Sequence, residues 1–230
     1  MSKSILGQYF TTNETLQEKL YSFIQNDPKI ILEPCIGQGD LIKYISNKNP
    51  YILFDMYEID STIDLLEGVE KKLVKYCNFL TEEIHKTYKT IVGNPPYIRT
   101  KKGNLYIDFI DKCYHLLADK GELIFIVPSD VFKLTSASKL LDNMMNSGTF
   151  THVYHPHDEK LFIDASVDIV IFRYCKDITD RLTLYNDKQL YINNNSGLIT
   201  FTETIDEQHE LFLKYFDVYV GLVSGKENVF

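Results

Sequence analysis

The sequence predicts a doubly wound α/β fold, in which a mostly parallel sheet carries helices on both faces. Short, continuously apolar runs recur along the chain, and such runs are typical of strands that are buried on both faces. Segments with helical periodicity lie between these runs. A loop with two glycines follows the first run, and glycines let a backbone approach a ligand closely.

The predicted strands follow from these apolar runs. In chain order the runs are 29–34, 51–60, 70–79, 89–96, 120–130, 150–156 and 166–174. The fifth run is almost purely apolar, and the third is the weakest. Residues 191–201 place a polar turn between two apolar pieces, which predicts a hairpin or a loop.

Three helices are predicted between the strands. Residues 39–48 follow the first run. Residues 104–121 follow the fourth run, carry an apolar stripe and have Gly121 as the expected stop. A third helix begins at Ser136 or Ser138 and ends at Gly148. Strands that alternate with helices favour a doubly wound sheet.

The composition excludes several classes of protein. The 230 residues suit one domain or a domain and a half, and a hydrophobic content of 44% is enough for a large core. The formal net charge of -8 argues against a simple nucleic-acid binder, which is usually basic. No run approaches the roughly 18 apolar residues of a membrane span. The first residues also lack the apolar region of a signal peptide, so we expect an intracellular protein without a membrane partner.

The cysteines and histidines do not predict a metal site. No two cysteines have C-x-x-C spacing, so neither zinc nor a disulfide framework is expected, and a reducing compartment is indicated. The cysteines are Cys35, Cys77, Cys113 and Cys175. His155 and His157 lie close together in the sequence, but no third ligand is in view, and we predict a loop beside the ligand pocket.

The loop after the first run predicts a ligand with an adenosine half. Gly37 and Gly39 let its backbone approach a ligand, and the following helix presents free amides there. The third glycine of the dinucleotide fingerprint is missing, so phosphates are not required. Glu58, about 20 residues further on, can accept hydrogen bonds from ribose hydroxyls. A tight turn and a solvated strand-end acid are the alternative interpretations.

The fourth run ends in a rigid turn, Asn94-Pro95-Pro96-Tyr97. Proline fixes φ and restricts the residue before it, so this turn is costly to place at a strand end. The amide oxygen of Asn94 and the carbonyl of Pro95 are two acceptors, which suit an NH₂ group with two donors. Tyr97 then offers a flat face for an aromatic base. An ordinary strand-ending turn is the alternative.

These motifs resemble those of S-adenosylmethionine-dependent amino-methyltransferases, and among them the gamma group of DNA adenine-N6 methyltransferases. The resemblance covers essentially the whole chain. Its motifs are GQYFTT (7–12), EPCIGQGDLI (33–42), YEID (57–60), NFL (78–80), NPPY (94–97), and KLFIDASVDIVIFRY (160–174). It implies a Rossmann-like class I methyltransferase fold with a seven-stranded sheet, S-adenosylmethionine as the cofactor and double-stranded DNA as the substrate.

The resemblance also assigns roles to residues. Asn94, Pro95, Pro96 and Tyr97 would form the catalytic motif, and Phe162 would face Tyr97 across a flipped-out adenine. Direct in-line transfer would need neither a metal nor a covalent intermediate, and orientation would supply most of the rate. The residues implied at the cofactor are Tyr9, Thr11, Thr12, Glu33, Pro34, Cys35, Gly37, Gly39, Glu58, Ile59, Asn78, Phe79 and Asn94.

Two residues depart from the usual pattern of that family. Glu33 stands where Asp is usual and keeps the charge. Asn78 also stands where Asp is usual, and its amide oxygen can still accept a hydrogen bond from an adenine amino group, but without charge. Arg99, Lys101 and Lys102 follow the catalytic motif, and they either bind phosphates beside the flipped base or form a solvated loop.

Several functions share this chemistry. Methylation of a protein glutamine at N5 and of RNA adenine at N6 use the same motif, and a non-catalytic cofactor-binding module is a further alternative. Residues 1–216 are expected to form the catalytic domain. Residues 217–230 resemble the start of a target-recognition region that is absent from this chain. Sequence readout is therefore expected from another domain or a partner chain, in a protein of bacterial or viral origin.

Overall fold

A ten-stranded sheet organises the chain in the computed structural model, which describes residues 9–100, 103–162 and 166–204. The strands, including a separate two-stranded ribbon of β5 and β6, are β1 (Ile30–Glu33), β2 (Leu53–Glu58), β3 (Val74–Tyr76), β4 (Tyr88–Gly93), β5 (Arg99–Thr100), β6 (Gly103–Asn104), β7 (Leu117–Pro128), β8 (Gly148–Tyr154), β9 (Ile169–Lys176), β10 (Leu182–Tyr185), β11 (Lys188–Asn195) and β12 (Leu198–Thr202). The helices are α1 (Glu14–Ser22), α2 (Asp40–Lys48), α3 (Leu105–His115) and α4 (Thr135–Ser147), with 3₁₀ turns at Lys71–Leu73 and Ser129–Lys133. Across the described ranges, none of these helices combines the length and hydropathy that crossing a membrane requires.

The order of the strands confirms the doubly wound fold. The order is β12-β11-β10-β8-β9-β7-β4-β1-β2-β3. The five adjacent strands β3, β2, β1, β4 and β7 are parallel to one another, whereas β9 is antiparallel to both β7 and β8. The seven adjacent strands of the sheet that begin with β3 and end with β8 coincide with the seven predicted runs. They are β3, β2, β1, β4, β7, β9 and β8. The sheet is wider than the expected seven strands because β10 pairs with β8 and carries the β11–β12 hairpin, which lies at the predicted segment 191–201.

Helices cover both faces of the sheet. Ile31 and Val92 pack with α1 and α2, whereas their neighbours Leu32 and Ile91 pack with α3 and α4. Residues 123–127 of β7 alternate between the two layers in the same way, and all are fully buried. This burial on both faces explains why the runs are continuously apolar.

The predicted end of the second helix is wrong. Helix α3 ends at His115, well before Gly121, and Leu117 already pairs with Tyr88 in the sheet. Lys120 has a positive φ of 55°, and the register shifts where the chain turns back into β7. A Cβ at Gly121 would lie 2.8 Å from the Ala118 carbonyl oxygen and 3.0 Å from that of Tyr88. Glycine is therefore needed there for close backbone packing and not as a helix stop. The predicted stop of α4 at Gly148 is confirmed.

Helix α1 lies outside the predicted elements. It buries only a narrow stripe that includes Leu16 and Leu20, so its apolar periodicity is weak. Asn13 fixes its start, because Oδ1 accepts hydrogen bonds from the backbone amides of Thr15 (3.0 Å) and Leu16 (3.3 Å). This N-cap is the signal in the sequence from which the helix could have been predicted.

A buried ion pair ties three central strands to the chain after α1. Glu122 on β7 is fully buried, and its Oε2 accepts a hydrogen bond from Nε of Arg173 on β9 at 2.8 Å. Its Oε1 accepts from the Thr90 hydroxyl on β4 at 2.8 Å. The same carboxylate accepts the backbone N–H groups of Gln25 at 3.2 Å and Asn26 at 3.1 Å. All these donors would lose their partner together if the carboxylate were removed.

The Glu122→Ala substitution is expected to lower the free energy of unfolding by about 3–5 kcal/mol, because it leaves a buried guanidinium without its counter-charge. Urea denaturation followed by circular dichroism measures this change. Glu70→Ala is the matched control, because Glu70 pairs with Lys72 on the exposed surface. Its removal should barely change the unfolding midpoint. Equal losses in the two variants would contradict the assigned role of Glu122.

Candidate active site

A pocket opens at the carboxyl ends of the parallel strands, beside β1. The chain adds β2 and β3 on one side of β1 and then adds β4 and β7 on the other side. The volume of the pocket is about 180 Å³. The walls come from the loops after β1, β2, β3 and β4, from the segment before α1, and from the first turns of α3. A topological switch point of this kind is where doubly wound sheets bind ligands.

The glycine loop is fixed to the end of β2. The backbone amide of Gly37 donates to Oε2 of Glu58 at 2.9 Å. Oε1 of Glu58 accepts from the amides of Ile59 (3.0 Å) and Asp60 (2.9 Å), so Oε2 keeps acceptor capacity for a ligand. Gly39 has a φ of 89°, and a Cβ there would lie 2.6 Å from Cγ2 of Val69. Only glycine fits this position without a shift of its neighbours.

The pocket is acidic. Three carboxylates line it, from Glu33, Asp40 and Glu58, and none of the described residues that line it is basic. Burial raises the pKa of all three, and for Glu33 the charges of Asp40 and Glu58 raise it further, well above its usual value. Oε2 of Glu33 is buried and has no hydrogen-bond partner among the described residues. A ligand that brings positive charge and N–H donors would relieve both penalties.

Hydrogen bonds to both ends of its side-chain amide fix the orientation of Asn94. Nδ2 donates to the backbone oxygen of Tyr9 at 2.8 Å and to the hydroxyl oxygen of Thr11 at 3.1 Å. Oδ1 accepts the Tyr97 hydroxyl at 2.6 Å. Burial raises the pKa of Tyr97 well above its usual value, so the phenol stays a neutral donor. The second lone pair of Oδ1 stays available, and the amide cannot flip without losing these bonds.

Three aromatic rings meet beside Asn94. The Tyr9 ring lies 5.0 Å from Tyr97 and 5.6 Å from Phe162, measured between ring centroids. Tyr97 and Phe162 are 6.3 Å apart at an interplanar angle of 77°. The two rings expected to sandwich a base are therefore adjacent but not parallel, and Tyr9 contacts both of them.

Comparison with known sequences assigns a family. Residues 40–162, more than half of the chain, match the profile of the family described as Eco57I restriction-modification methylase. The chain belongs to this family. The matched segment runs from the start of α2 through Phe162 and includes Glu58, Asn94 and Tyr97.

Two curated relatives of this Eco57I-family chain are Type II methyltransferases from Haemophilus influenzae. M.HincII of Haemophilus influenzae is 31% identical over 199 residues, which are 76% of this chain and 38% of the relative. M.HindII of Haemophilus influenzae is also 31% identical over 199 residues, which are 76% of this chain and 37% of the relative. The chain therefore spans less than two fifths of the length of these relatives.

Solved structures confirm the fold of this Eco57I-family chain. The methyltransferase subunit of a type I restriction-modification system from Streptococcus thermophilus aligns with 88% of this chain and 52% of that chain, at a TM-score of 0.63 and 13% identity. A class I S-adenosylmethionine-dependent methyltransferase from Listeria monocytogenes aligns with 74% of this chain and 62% of that chain, at a TM-score of 0.58 and 14% identity. The Rossmann-like class I methyltransferase fold is thus confirmed.

Most residues implied at the site of this family member line one pocket. They are Tyr9, Thr11, Glu33, Pro34, Cys35, Gly37, Glu58, Ile59, Asn78, Phe79, Asn94 and Pro96. Thr12 and Pro95 are not among the lining residues, and Gly39 shapes the turn behind the wall. Tyr97 and Phe162 form the neighbouring aromatic group.

The pocket also contains residues that the motifs did not assign. Asp40 directly follows the glycine loop, so its position alone could have indicated it. Leu105 and Phe109 were assigned to the core stripe of a helix, but they also face the pocket. A spacing of four residues places both side chains on one helix face, and this spacing does not distinguish a face that packs in the core from one that lines a pocket. The remaining unassigned lining residues are Phe10, Ile36, Leu41, Cys77, Leu80 and Ile98.

The other predicted groups either do not line this pocket or lie outside the described residues. Arg99 is exposed on β5, whereas Lys101, Lys102 and residues 217–230 lie outside the described ranges. His155 begins the loop that leads to Phe162. Its Nε2 lies 2.7 Å from Oδ1 of Asp168. Its ring centroid lies 3.7 Å from that of His157, at an interplanar angle of 36°.

Glu33→Gln is expected to stabilise the ligand-free protein at neutral and alkaline pH. The folded-state pKa of Glu33 lies above its unfolded value, so the wild-type fold loses stability as pH rises through the folded-state pKa. The advantage of the variant should shrink as pH falls towards about 4.3, the ordinary pKa of glutamate. Urea titrations across this range measure it, with Glu18→Gln on the exposed face of α1 as the control. A pH-independent difference would contradict the assigned burial of the charge.

Proposed function

We propose that this chain is the catalytic region of a site-specific DNA methyltransferase. It binds S-adenosylmethionine and methylates N6 of an adenine that has left the duplex. Membership of the Eco57I family and the likeness to Type II methyltransferases support this function. Because the chain spans less than two fifths of those relatives, the activity is that of a longer protein or an assembly.

The acidic pocket is the observation that carries the proposal. A dinucleotide or nucleotide phosphate needs N–H donors and positive charge around it, whereas the described lining offers three carboxylates and no basic side chain. S-adenosylmethionine instead carries positive charge on its sulfonium and ammonium groups. The unpaired oxygen of Glu33 suits the ammonium, and Oε2 of Glu58 suits a ribose hydroxyl. When bound, this cofactor supplies an electrophilic methyl group.

Asn94 orients the amine that receives the methyl group. Its oxygen accepts one N–H of the target, and the Pro95 carbonyl accepts the other. The bonds from Nδ2 to Tyr9 and Thr11 keep the oxygen towards the target. Accepting hydrogen bonds from both N–H groups draws the nitrogen lone pair out of conjugation with the ring, and the methylated nitrogen then releases one proton to water. The contribution of these residues is orientation, which converts binding energy into rate.

Tyr97 and Phe162 receive the flipped base between them. Each stacked face contributes about 1–3 kcal/mol. Tyr9 contacts both rings, which stand at 77° to each other, so Tyr9 has to move and the two rings have to rotate for a base to fit between them. The target base therefore replaces an aromatic contact that the chain already makes.

Duplex DNA is favoured over the other acceptors because the relatives named above are Type II methyltransferases of restriction-modification systems. Protein glutamine and RNA adenine are also planar NH₂ acceptors, so the pocket alone does not separate them. A net charge of -8 leaves most phosphate contacts and the sequence readout to another domain or to a partner chain.

A methyl-transfer assay separates these acceptors. The protein is incubated with tritiated S-adenosylmethionine and, separately, duplex DNA of mixed sequence, RNA or a glutamine-containing peptide. We expect label in duplex DNA, recovered as N6-methyladenine after nuclease digestion and mass spectrometry. Label confined to the peptide or to RNA would overturn the assignment of the substrate.

Asn94→Ala is expected to lower the transfer rate at least about 10²-fold, a loss typical of removing one group that orients and polarises the reacting atoms. Affinity for S-adenosylmethionine, measured by calorimetry, should change by no more than a few-fold, because Asn94 is assigned to the target amine and bonds on the cofactor side only to the Tyr9 backbone oxygen and the Thr11 hydroxyl. Asn193→Ala on β11 is the control, since that amide bonds to Thr202 in the hairpin. Near-normal turnover by Asn94→Ala would exclude its role.

Tyr9→Leu is expected to favour base flipping several-fold, because one aromatic contact of about 0.5–1.5 kcal/mol no longer competes with the base. The readout is the fluorescence rise of 2-aminopurine at the target position of a duplex that the assay shows to be methylated. Tyr9→Phe keeps the ring and should behave like the wild type. A weaker rise in Tyr9→Leu would show that Tyr9 supports the base instead of occupying its place.

A further inference from the structure

One wall of the pocket is a turn at Asn78–Glu82, which follows β3. Asn78, Phe79 and Leu80 of this turn face the pocket. Internal bonds give the turn its shape, because Oδ1 of Asn78 accepts from the Leu80 amide at 3.0 Å and its backbone oxygen accepts from the Thr81 amide at 3.1 Å. These bonds do not fix where the turn stands relative to the rest of the pocket.

The sheet holds this turn only at one end. Strand β3 is three residues long and pairs with β2 alone. The Cys77 amide donates to the Glu58 carbonyl oxygen at 2.9 Å, and this is the last backbone bond from the sheet before the turn. A short edge strand provides few ladder bonds, so side chains have to fix the position of the residues that follow it.

Two residues on one face of helix α3 contact the turn. The Phe109 ring stacks on that of Phe79, with centroids 5.7 Å apart and an interplanar angle of 15°. One helical turn later, Lys112 Nζ donates to the backbone oxygens of Phe79 and Glu82, at 2.5 Å each. The same ammonium lies 4.8 Å from the centroid of the Phe79 ring. Residues spaced by three on a helix lie on the same face, so both contacts act together.

The contacts of Lys112 are directed at the turn and not at the pocket. Lys112 is not among the residues that line the pocket, although Leu105 and Phe109 of the same helix are. Its ammonium is half-buried, and burial lowers its pKa. Donation from a charged, partly desolvated ammonium to two carbonyls of one turn is stronger than a pair of neutral hydrogen bonds.

We propose that Lys112 is a positioning residue for the adenosine half of the cofactor. It holds the Asn78–Glu82 turn at the distance that the ligand's base needs and does not touch the ligand. The inference rests on the proposed cofactor site. The inference extends the site to Lys112, a residue that does not line the pocket. The bonds from Lys112 to the turn would also fix the position of the exposed Asn78, so that its side-chain amide can reach the edge of an adenine.

Two ligands test this inference by calorimetry. S-adenosylmethionine has both an adenosine half and a methionine half, and 5′-methylthioadenosine lacks the methionine half. Lys112→Met keeps the apolar stem and removes the donors. It should weaken the binding of both ligands by the same factor, about ten- to hundredfold, because the loss of about one charged hydrogen bond affects the part that they share. Lys112→Arg, which can still donate to two carbonyls, should recover most of the affinity for both.

Two further variants serve as controls. Lys89→Met also removes a lysine that donates to a backbone carbonyl, that of Asp119, which is not in the pocket. It should leave both affinities unchanged. Glu33→Gln should weaken S-adenosylmethionine but not 5′-methylthioadenosine, because only the former has an ammonium group. A variant that affects the adenosine half then weakens the binding of both ligands, whereas a variant that affects the methionine half weakens the binding of S-adenosylmethionine alone.

Amide hydrogen exchange shows whether the effect is local. Lys112→Met should accelerate exchange in residues 78–82 and leave the central strands protected as in the wild type. Faster exchange throughout the chain, or a loss of affinity that Lys112→Arg does not recover, would assign Lys112 to general stability and overturn the inference. Unchanged affinity of Lys112→Met for both ligands would also overturn it. Wild-type protein that binds neither ligand would overturn the cofactor site itself.

Discussion

The parallel pairing of β1 with both β2 and β4 is the constraint on which the site depends. The register sets Glu33 opposite Met56 and Leu32 opposite Ile91, so the three strands end within a residue or two of one another. The side chains that follow those ends must then share one edge of the sheet. Because β1 lies in the middle, its glycine loop faces Glu58 on one side and Asn94 on the other. The order and register of the strands therefore determine where the pocket lies, whatever side chains line it.

Residues that lie at strand ends could be predicted from the sequence, whereas residues that act across the fold could not. Glu58 and Asn94 each follow an apolar run, and a parallel sheet brings such positions together. Lys112 resembles any solvated lysine of an amphipathic helix, and only the packing of α3 against the turn reveals its two carbonyl partners. Gly121 failed as a helix stop for a related reason. Its close contacts with Ala118 and Tyr88 arise from tertiary packing, which local sequence does not encode.

The charges of the pocket and of the whole chain have opposite consequences for its two proposed ligands. Burial raises the pKa of Glu33, Asp40 and Glu58, and the charges of Asp40 and Glu58 raise that of Glu33 further, so a cationic ligand gains affinity from relieving these penalties. A net charge of -8 disfavours the approach of a polyanion to the chain as a whole. In the proposed function, this chain therefore supplies the cofactor site, and another domain or subunit supplies most of the affinity for a phosphate backbone.

The two halves of the proposed site differ in the contacts that hold their residues in place. Backbone hydrogen bonds at Gly37 and Glu58, and the grip of Lys112 on the turn, fix the cofactor half. The base half is held by aromatic contacts among Tyr9, Tyr97 and Phe162, which a planar ligand can replace at little net cost. Asn94 connects the halves, and its Nδ2 bonds to the backbone oxygen of Tyr9 and not to its ring. Rotation of the Tyr9 side chain therefore vacates the base slot while the bond that orients the Asn94 amide remains. The bond that holds the Nδ2 end of the Asn94 amide therefore survives the entry of a base.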